Sequence, residues 1–542
     1  MPKLTIDNRD VTVPEGATVL EAARTLGIDI PALCFREGCK PSTSCLACVV
    51  RINGDSQLVP SCATLAIEGM RVESETEAVH QVRRTALELL LSDHLGDCVA
   101  PCQFGCPAQM DIPTMLRQIV AGQFREAIAT VKRDIAMPAT LGRICPGPCE
   151  KVCRRGDLDG AVSICLLKRL VADVDLASPE PYTPECKPPT GKRVAIVGAG
   201  PTGLSAAYYL SQFGHACEIF DENPLPGGRL LHETTESELP RDVIAAEVIA
   251  IEQLGVVIHE LARIASESGL TDLRARFNAV LLACGTTASK QATAWGLSVS
   301  QRGIQAVTHT CETEMPGVFA AGGAVRGKTI VVRSVADGKE AATAIDQFLC
   351  GLAVTGPAVP LSVKIGRMHG DELARFVAGA SAVNRVPLLR RSSASRNPLP
   401  DTACKQAVAH GGEKSGLTRD EGVEQAARCL HCDCRGATSC KLRKYAVQYG
   451  ANPRRFKEAE RREFQQDARH AEVVYEPGKC IDCGLCIQIA AAAGEPLGLT
   501  FVGRGFDVRV AVPFDRSLAE ALSKAAADCV VACPTAALAW KS

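Results

Sequence analysis

The 542-residue sequence is poor in aromatics, close to neutral, and without long apolar runs. Aromatic residues make up 4% of it, too few for a platform on which nucleic-acid bases stack. Lysine and arginine total 60 against 61 acids, a net charge of -1. That balance argues against nucleic acid or an acidic membrane as the main partner. No apolar run reaches the roughly 18 residues a membrane span needs, and Met1 opens no signal-like segment. No membrane span and a cytoplasmic location are therefore expected. The sequence also shows no Ser/His/Asp arrangement and no paired-carboxylate pocket that can be placed, so no catalytic residue for a small substrate is assigned. Basic runs such as RRFKEAERR, residues 454–462, read as solvated helix faces.

What is abundant is cysteine, 27 in all. A small secreted chain with such a content would be a disulfide scaffold. Here the chain is long enough for three or four domains of roughly 100–200 residues each. Its cysteines recur every two to four residues, which in a reducing compartment favours metal.

The chain divides by pattern into six stretches. Residues 1–80 are β-rich. KLTIDNRDVTV reads as a hairpin with Asn-Arg near its turn, and TVLEAARTLGI as an amphipathic helix begun by Thr18. Over 81–180 the apolar period is helical, in VRRTALELLLSDH, IPTMLRQIVAGQFREAIATVKRD and ICLLKRLVADV. The Pro-rich ASPEPYTPECKPPTGK is a linker. Residues 181–352 carry an alternation of strand and helix. Residues 353–415 are irregular, with RRSSASRNPLP as an exposed linker. A cysteine-rich segment, 416–470, and a last domain, 471–542, close the chain.

The first cysteine group is Cys34, Cys45, Cys48 and Cys62, spaced C-x10-C-x2-C-x13-C. Thiolates suit iron–sulfur clusters and zinc. This β-rich segment resembles the ferredoxin-like domain that opens the large iron–sulfur subunit of respiratory complex I and many iron-only hydrogenases. The resemblance implies a β-grasp domain holding a 2Fe-2S cluster on these four residues. Cys39 falls outside the pattern.

The second group begins HLGDCVAPCQFGCPAQMDIP and resumes GRICPGPCEKVC. It resembles the helical amino-terminal domain of the glutamate synthase small subunit and of dihydropyrimidine dehydrogenase. That resemblance implies an α-helical double-cubane domain with two 4Fe-4S clusters on interleaved ligands. One set is His94, Cys98, Cys102 and Cys153. The other is Cys106, Cys145 and Cys149 with a residue of VSICLLKR. His94 stands where that family has its first cysteine. Its H-x3-C spacing is the one that supplies a histidine ligand in the complex I and hydrogenase relatives. The family's oxygen ligand falls near Lys168, which cannot ligate while protonated. Cys165, one helical turn earlier on the same face, is the substitute expected.

The third group is ARCLHCDCRGATSCKLR, with Cys429, Cys432, Cys434 and Cys440 inside twelve residues. A 4Fe-4S cluster is the first choice, and zinc the alternative. The fourth is KCIDCGLCIQIAA followed by DCVVACPTAAL. In two-cluster ferredoxins each C-x2-C-x2-C-x3-C-P run lends its last cysteine to the other cluster. Applied here, that rule leaves one complete set, Cys480, Cys483, Cys486 and Cys533. Ala490, Ser523 and Ala526 occupy positions of the second set, so one cluster is expected and Cys529 is left over. The intervening LGLTFVGRGFDVRVAVPF resembles the complex I large-subunit ferredoxin domain, implying a ferredoxin-like α+β fold.

VAIVGAGPTG carries Gly198, Ala199, Gly200 and Gly203 as G-x-G-x-x-G after an apolar strand, and Asp221 ends the next strand. The first glycine allows the turn, the second admits a pyrophosphate, and the third packs helix on strand. FDENPLPGGRLL adds Gly227 and Gly228, and PGVFAAGGAVRG adds Gly322 and Gly323. These stretches resemble the flavin domain of the glutamate synthase small subunit and the wider two-dinucleotide flavoproteins. The resemblance implies an α/β, Rossmann-like FAD domain. Gly323 stands where the family has an acid, which removes a ribityl contact. The family also inserts a nicotinamide domain of about 100 or more residues between strand and PGVF segment. Here Gly285 and Pro316 are 31 positions apart, with no second glycine motif between them.

The expectation is an oxidoreductase: an electron-transfer subunit with FAD, one 2Fe-2S and about four 4Fe-4S clusters. It would relay electrons between other oxidoreductase subunits, with ferredoxin or an NAD(P)H-oxidising flavoprotein among the candidate partners. Bifurcation at the flavin is compatible with such a chain of centres. The alternative is a self-contained NAD(P)H- or ferredoxin-dependent reductase.

Overall fold

The structure is a computed structural model that describes residues 1–287, 292–378, 416–457 and 461–541. The RRSSASRNPLP linker lies outside them. Among the described residues no helix is long and apolar enough to cross a membrane. The described chain forms two compact units: residues 1–99, 360–378 and 431–541 make one, and 100–359 with 416–430 the other.

The first unit opens with strands β1 (Lys3–Ile6), β2 (Arg9–Thr12), β3 (Val49–Ile52), β4 (Leu58–Pro60) and β5 (Arg71–Glu73). They form one sheet in the order β2-β1-β5-β3-β4. β1 pairs with β5 in parallel, and the other neighbours are antiparallel. The hairpin turn is centred on Asp7 and Asn8, both at positive φ (46° and 64°), and Arg9 already pairs with Ile6. A two-residue turn of this hand fits the strand twist, and Asp and Asn tolerate it. Helix Val19–Thr25 begins at Thr18 as expected: its hydroxyl accepts from the Glu21 N–H, and the Glu21 carboxylate accepts from the Thr18 N–H. Leu4, Ile6, Val19, Leu20, Val50 and Val72 fill the core beneath.

Helix Glu77–Ser92 leaves this sheet and carries the fully buried Arg83. Its guanidinium donates to the Val49 carbonyl (3.1 Å) and the Tyr449 hydroxyl (2.8 Å). Tyr449 caps the end of helix Lys441–Gln448, so one buried cation ties three segments together. The RRFKEAERR run is not a helix in its described part. Arg455 pairs with the buried Glu88 (2.8 Å) and Arg461 with the buried Glu372 (2.6 Å). Both arginines keep part of their side chains in solvent while serving as counter-charges to buried acids, a role that composition alone does not reveal.

The second unit contains a sheet of five parallel strands, β6 (Arg193–Val197), β7 (Ala216–Phe220), β8 (Val257–His259), β9 (Ala279–Leu282) and β10 (Val318–Ala320). Their order is β10-β9-β6-β7-β8. Each central strand is buried on both faces, as parallel sheets require. Helices Pro201–Gln212 and Val331–Leu349 pack together on it. They approach closely because Gly338 has no side chain: a Cβ there would stand 2.3 Å from the Thr202 carbonyl oxygen. Helices Ile112–Val120, Phe124–Lys132, Pro138–Ile144 and Ile164–Leu176 form the helical part, joined by the later helix Arg419–Ala426. The break between the first two falls at Gly122, φ +73°. The residues of ASPEPYTPECKPPTGK beyond the end of helix Ile164–Leu176 form no helix or strand.

The first unit closes with two small antiparallel pairs, β11 (Val473–Tyr475) with β14 (Leu538–Trp540) and β12 (Thr500–Val502) with β13 (Arg509–Ala511).

One buried acid joins the helical part of the second unit to its sheet-bearing part. The Glu247 carboxyl accepts the N–H groups of Ala139 (2.6 Å) and Thr140 (3.0 Å) at the start of helix Pro138–Ile144. Burial nevertheless pushes its pKa up from 4.5 to about 7, against the pull of those donors. A raised folded-state value means the contribution is complete below about 4.5 and is lost as pH rises through about 7. The change is on the order of 3 kcal/mol, at about 1.4 kcal/mol per pH unit. Denaturant midpoints of the wild-type chain are expected to fall across that window. Glu247→Gln should flatten the profile.

Candidate functional site

The dinucleotide-binding loop leaves β6 at its carboxyl end. Gly198 has φ +109°, and a Cβ on it would stand 2.7 Å from the Ala283 carbonyl oxygen. A Cβ on Gly203 would stand 1.9 Å from the Gly198 carbonyl oxygen. A Cβ on Gly200, by contrast, would meet nothing within 4 Å. The first and third glycines are thus demanded by packing, and the second borders open space, where a phosphate can approach the backbone. Helix Pro201–Gln212 begins here and turns its unpaired N–H groups toward that space.

A cavity of about 490 Å³ lies at this end of the sheet, lined by Gly198, Gly200, Asp221, Gly228 and Gly323 among others. Its size lies in the range of small-molecule and cofactor sites. Asp221 accepts the Ala199 N–H (2.5 Å) on one carboxylate oxygen and the backbone and side-chain N–H groups of Asn223 (both 2.8 Å) on the other. A carboxylate offers about four acceptor positions, so one remains for a ligand hydroxyl. The Gly227 N–H donates to the Ala199 carbonyl (2.8 Å). Gly228, φ +53°, lies so close that a Cβ on it would stand 2.9 Å from Gly200 Cα. Gly322, φ +66°, is pressed against Thr202 in the same way (2.1 Å to its hydroxyl). Of the nine glycine, alanine and aspartate positions singled out from the sequence, five line the cavity, and Ala199, Gly203, Gly227 and Gly322 pack or hydrogen-bond against its lining residues or their neighbours.

The sequence reading missed the far wall. Cys284, Gly285 and Thr286 after β9 line the cavity, as do Thr329, Ile330 and Val331 at the start of helix Val331–Leu349. Burial pushes the Cys284 thiol up to about 12, which disfavours the reactive thiolate. Ile144 and Pro146 also line the cavity. They flank Cys145, one of the cysteines expected to hold a cluster. The connection from β9 to β10 holds, among its described residues, the short 3-10 helices Gly285–Thr287 and Thr293–Trp295 and the isolated bridges Val299–Ile304 and Glu312–Phe319.

Three sulfur sets are brought together. In the first unit, Cys34 and Cys45 stand 3.3 Å apart, Cys48 and Cys62 3.4 Å apart, and Cys34 also bonds to Cys62. The contact with Cys45 holds the Cys34 thiol, and that with Cys62 the Cys48 thiol, below the ordinary cysteine pKa. Cys480, Cys483, Cys486 and Cys533 are mutual electrostatic neighbours. Cys529 lies fully buried beside them, its thiol donating to the Cys486 carbonyl (3.6 Å). Cys34 is also a neighbour of Cys483. The loop between Cys34 and Cys45 docks there: the Ser42 hydroxyl donates to the Cys483 carbonyl (2.7 Å).

In the second unit Cys106, Cys145, Cys149 and Cys165 are buried in one core. The buried Lys168 lies among them. Burial pushes its pKa down, but the four surrounding thiols outweigh that and hold it above the ordinary lysine value. An ammonium among sulfurs suits a site that carries net negative charge.

The remaining cysteines follow a different grouping from their order along the chain. Cys98 has Cys434 as a neighbour, and Cys440 has both Cys434 and Cys98. Cys102, Cys153 and Cys429 pack in the helical core of the second unit. The chain passes from one unit to the other just after Cys429, so Cys432, Cys434 and Cys440 belong to the first. His94 is buried, and burial, with Lys479 beside it, pushes its pKa down to about 3. It is a neutral imidazole whose Nδ1 has no hydrogen-bond partner.

Residues 2–77 match the 2Fe-2S iron-sulfur cluster binding domain family, 74–179 the family of dihydropyrimidine dehydrogenase domain II with its 4Fe-4S cluster, and 157–345 the pyridine nucleotide-disulphide oxidoreductase family. The chain is thus a multidomain protein with 2Fe-2S, 4Fe-4S and dinucleotide-binding, Rossmann-like domains of oxidoreductase type. Among curated relatives, it is 37% identical over 213 residues to the NADP(+)-dependent formate dehydrogenase subunit beta of Moorella thermoacetica, covering 35% of this chain and 30% of that one. It is 34% identical over 189 residues to the NAD-dependent dihydropyrimidine dehydrogenase subunit PreT of Salmonella typhimurium (34% and 45%). It is 32% identical over 201 residues to the glutamate synthase [NADPH] small chain of Bacillus subtilis (35% and 40%). The chain spans less than half the length of each of these relatives. The resemblance to the glutamate synthase small subunit and to dihydropyrimidine dehydrogenase is borne out by these matches.

Gly228 gives the sharpest test of the cleft. Gly228→Ala should displace the Gly198–Gly200 loop and lower the dinucleotide content of the purified protein at least tenfold. Absorbance of the released cofactor after denaturation measures it.

Proposed function

We propose that this chain is the electron-transfer subunit of a larger oxidoreductase, relaying electrons through FAD and iron–sulfur clusters between a donor and an acceptor subunit. The observation that carries the reading is the position of Cys145 between Ile144 and Pro146, two residues of the cavity wall. A cluster held by Cys106, Cys145, Cys149 and Cys165 would adjoin a flavin in the cleft. FAD supplies exchange of one or two electrons, where clusters pass one at a time.

The chain's own residues have defined tasks in this proposal. Gly198, Gly200 and the first N–H groups of helix Pro201–Gln212 bind the pyrophosphate, Asp221 accepts a ribose hydroxyl, and Gly322 and Gly323 leave room for the ribityl chain. Cys34, Cys45, Cys48 and Cys62 hold the 2Fe-2S cluster of a β-grasp domain, residues 1–80. Cys480, Cys483, Cys486 and Cys533 hold a 4Fe-4S cluster in a ferredoxin-like α+β domain, 471–542. The electrostatic proximity of Cys34 to Cys483, with the Ser42 hydroxyl docked on the Cys483 carbonyl, supports direct exchange between these two. Residues 81–180 are the double-cubane domain, 181–352 the FAD domain, 353–415 the linker and 416–470 the second cysteine-rich segment. A total of about four 4Fe-4S clusters follows.

The relatives named above include subunits of formate and dihydropyrimidine dehydrogenases. This supports partner subunits of oxidoreductase type here. The short β9–β10 connection supports a donor other than NAD(P)H bound by this chain. Anaerobic NADH or NADPH should leave the flavin band of the isolated protein unchanged while dithionite bleaches it. Rapid bleaching by either nicotinamide would replace this proposal with a self-contained reductase. The Lys168 ammonium favours the reduced, more negative state of the neighbouring cluster. Lys168→Met should therefore lower that cluster's midpoint potential in an EPR-monitored titration while its iron content is retained.

A further inference from the structure

Two sets of cysteines are contiguous in sequence yet are distributed differently by the fold. Residues 429–440 hold four cysteines, and so do 98–106 with 153 as their return. The packing within each unit crosses these groups.

In the second unit, helix Arg419–Ala426 lies against helices Ile112–Val120 and Ile164–Leu176. Its register there is fixed by polar contacts. The Gln425 amide donates to the Ser163 hydroxyl (2.6 Å). Arg428 donates to the Gly160 carbonyl (2.5 Å) and the Asp159 carboxylate (3.1 Å). Arg155 returns a hydrogen bond to the Arg428 carbonyl (3.0 Å). Arg155 is two residues past Cys153, and Arg428 immediately precedes Cys429. Cys153 is among the groups that act on the Arg428 charge. On the other side, helix Pro101–Gly105, which carries Cys102, abuts the Cys149–Cys153 turn: a Cβ on Gly105 would stand 2.5 Å from Val152.

In the first unit, the Arg443 side chain donates to the Cys98 carbonyl (3.5 Å) and its backbone N–H to the Cys440 sulfur (3.4 Å). Cys98 and Cys440 pack in the same core. The buried Lys479 borders His94, Cys98 and Cys434 alike, and its ammonium is paired to Glu476. The unpartnered, buried Nδ1 of His94 belongs to this group.

We infer that the two sites exchange ligands relative to chain order: Cys429 joins Cys102 and Cys153 on one 4Fe-4S cluster, and Cys434 and Cys440 join Cys98 and His94 on another. Each cluster then ties together segments more than 270 residues apart, since Cys153 and Cys429 are separated by 276 positions and Cys98 and Cys434 by 336. Cys429–Cys440 is on this account not a cluster site of its own. The inference rests on the cluster reading proposed above and sharpens it.

The test uses the full chain, reconstituted anaerobically with iron and sulfide. Its readouts are iron per protein and the EPR components of the dithionite-reduced protein. Wild-type protein that binds no iron would overturn the cluster reading itself. With iron bound, Cys98→Ser and Cys434→Ser should alter the same EPR component, while Cys429→Ser alters the component changed by Cys153→Ser. His94→Cys should retain the first cluster's iron with a changed spectrum. The exchange is overturned if Cys429→Ser and Cys434→Ser act on one component, or if Cys98→Ser and Cys153→Ser do. The Cys98 and Cys434 pair decides the matter even if Cys429→Ser does not fold.

Discussion

Buried sulfur in contact with buried sulfur is the constraint around which both units are organised. Thiols 3.3 Å apart, as at Cys34 and Cys45, cannot all ionise in a low-dielectric core without positive charge among them. Iron supplies that charge when bound, and metal binding of this kind contributes directly to folding. The protein adds its own cations at two places. Lys168 lies among four thiols, and Lys479 lies between Glu476 and Cys434. The hydrophobic cores are correspondingly built on cysteine. Cys106, Cys145, Cys149 and Cys165 sit in the helical core, and Cys480, Cys486, Cys529 and Cys533 in the carboxyl-terminal one. With aromatics scarce, the sulfurs and their short helices fill volume that larger side chains fill in other proteins.

The dinucleotide cleft obeys a different constraint, the close approach of backbone to backbone. Gly198, Gly203, Gly228, Gly322 and Gly338 each lie where a Cβ would strike a neighbouring chain segment. They draw the phosphate loop, the Gly227–Gly228 turn and helix Val331–Leu349 onto one another, leaving Gly200 facing open space. The result is a preformed cavity whose wall includes the residues on either side of Cys145. The cavity and the buried cysteine group of Cys145 thus share a segment of chain, and the proposed relay rests on that shared wall more than on either feature alone.

Where sequence reasoning erred, the reason is physical. The hairpin is not among the errors: its turn, Asp7-Asn8, includes the asparagine of the expected Asn-Arg pair, at residues that tolerate positive φ. RRFKEAERR has the composition of a solvated helix, yet Arg455 and Arg461 find buried carboxylates at Glu88 and Glu372. Those acids lie far away along the chain, and nothing local signals them. The far wall of the cavity, with Thr329 and Ile330, was equally silent, since its residues carry no motif and act by position.

The sequence by itself determined what depends on near neighbours. The glycine spacing after an apolar strand, the capping box at Thr18, the C-x2-C-x2-C run at Cys480 and the acid at Asp221 are each set by geometry within one or two turns of chain. Only the tertiary structure decided which distant cysteines meet. It set Cys98 beside Cys434 and Cys440, packed Cys429 into the core of Cys102 and Cys153, and enclosed Lys168 among thiols. The entropic cost of closing a loop grows only with the logarithm of its length. A ligand three hundred residues away costs only about 2 kcal/mol more to bring in than one thirty away, an amount that packing readily offsets, so spacing along the chain leaves no mark of which one the fold has chosen.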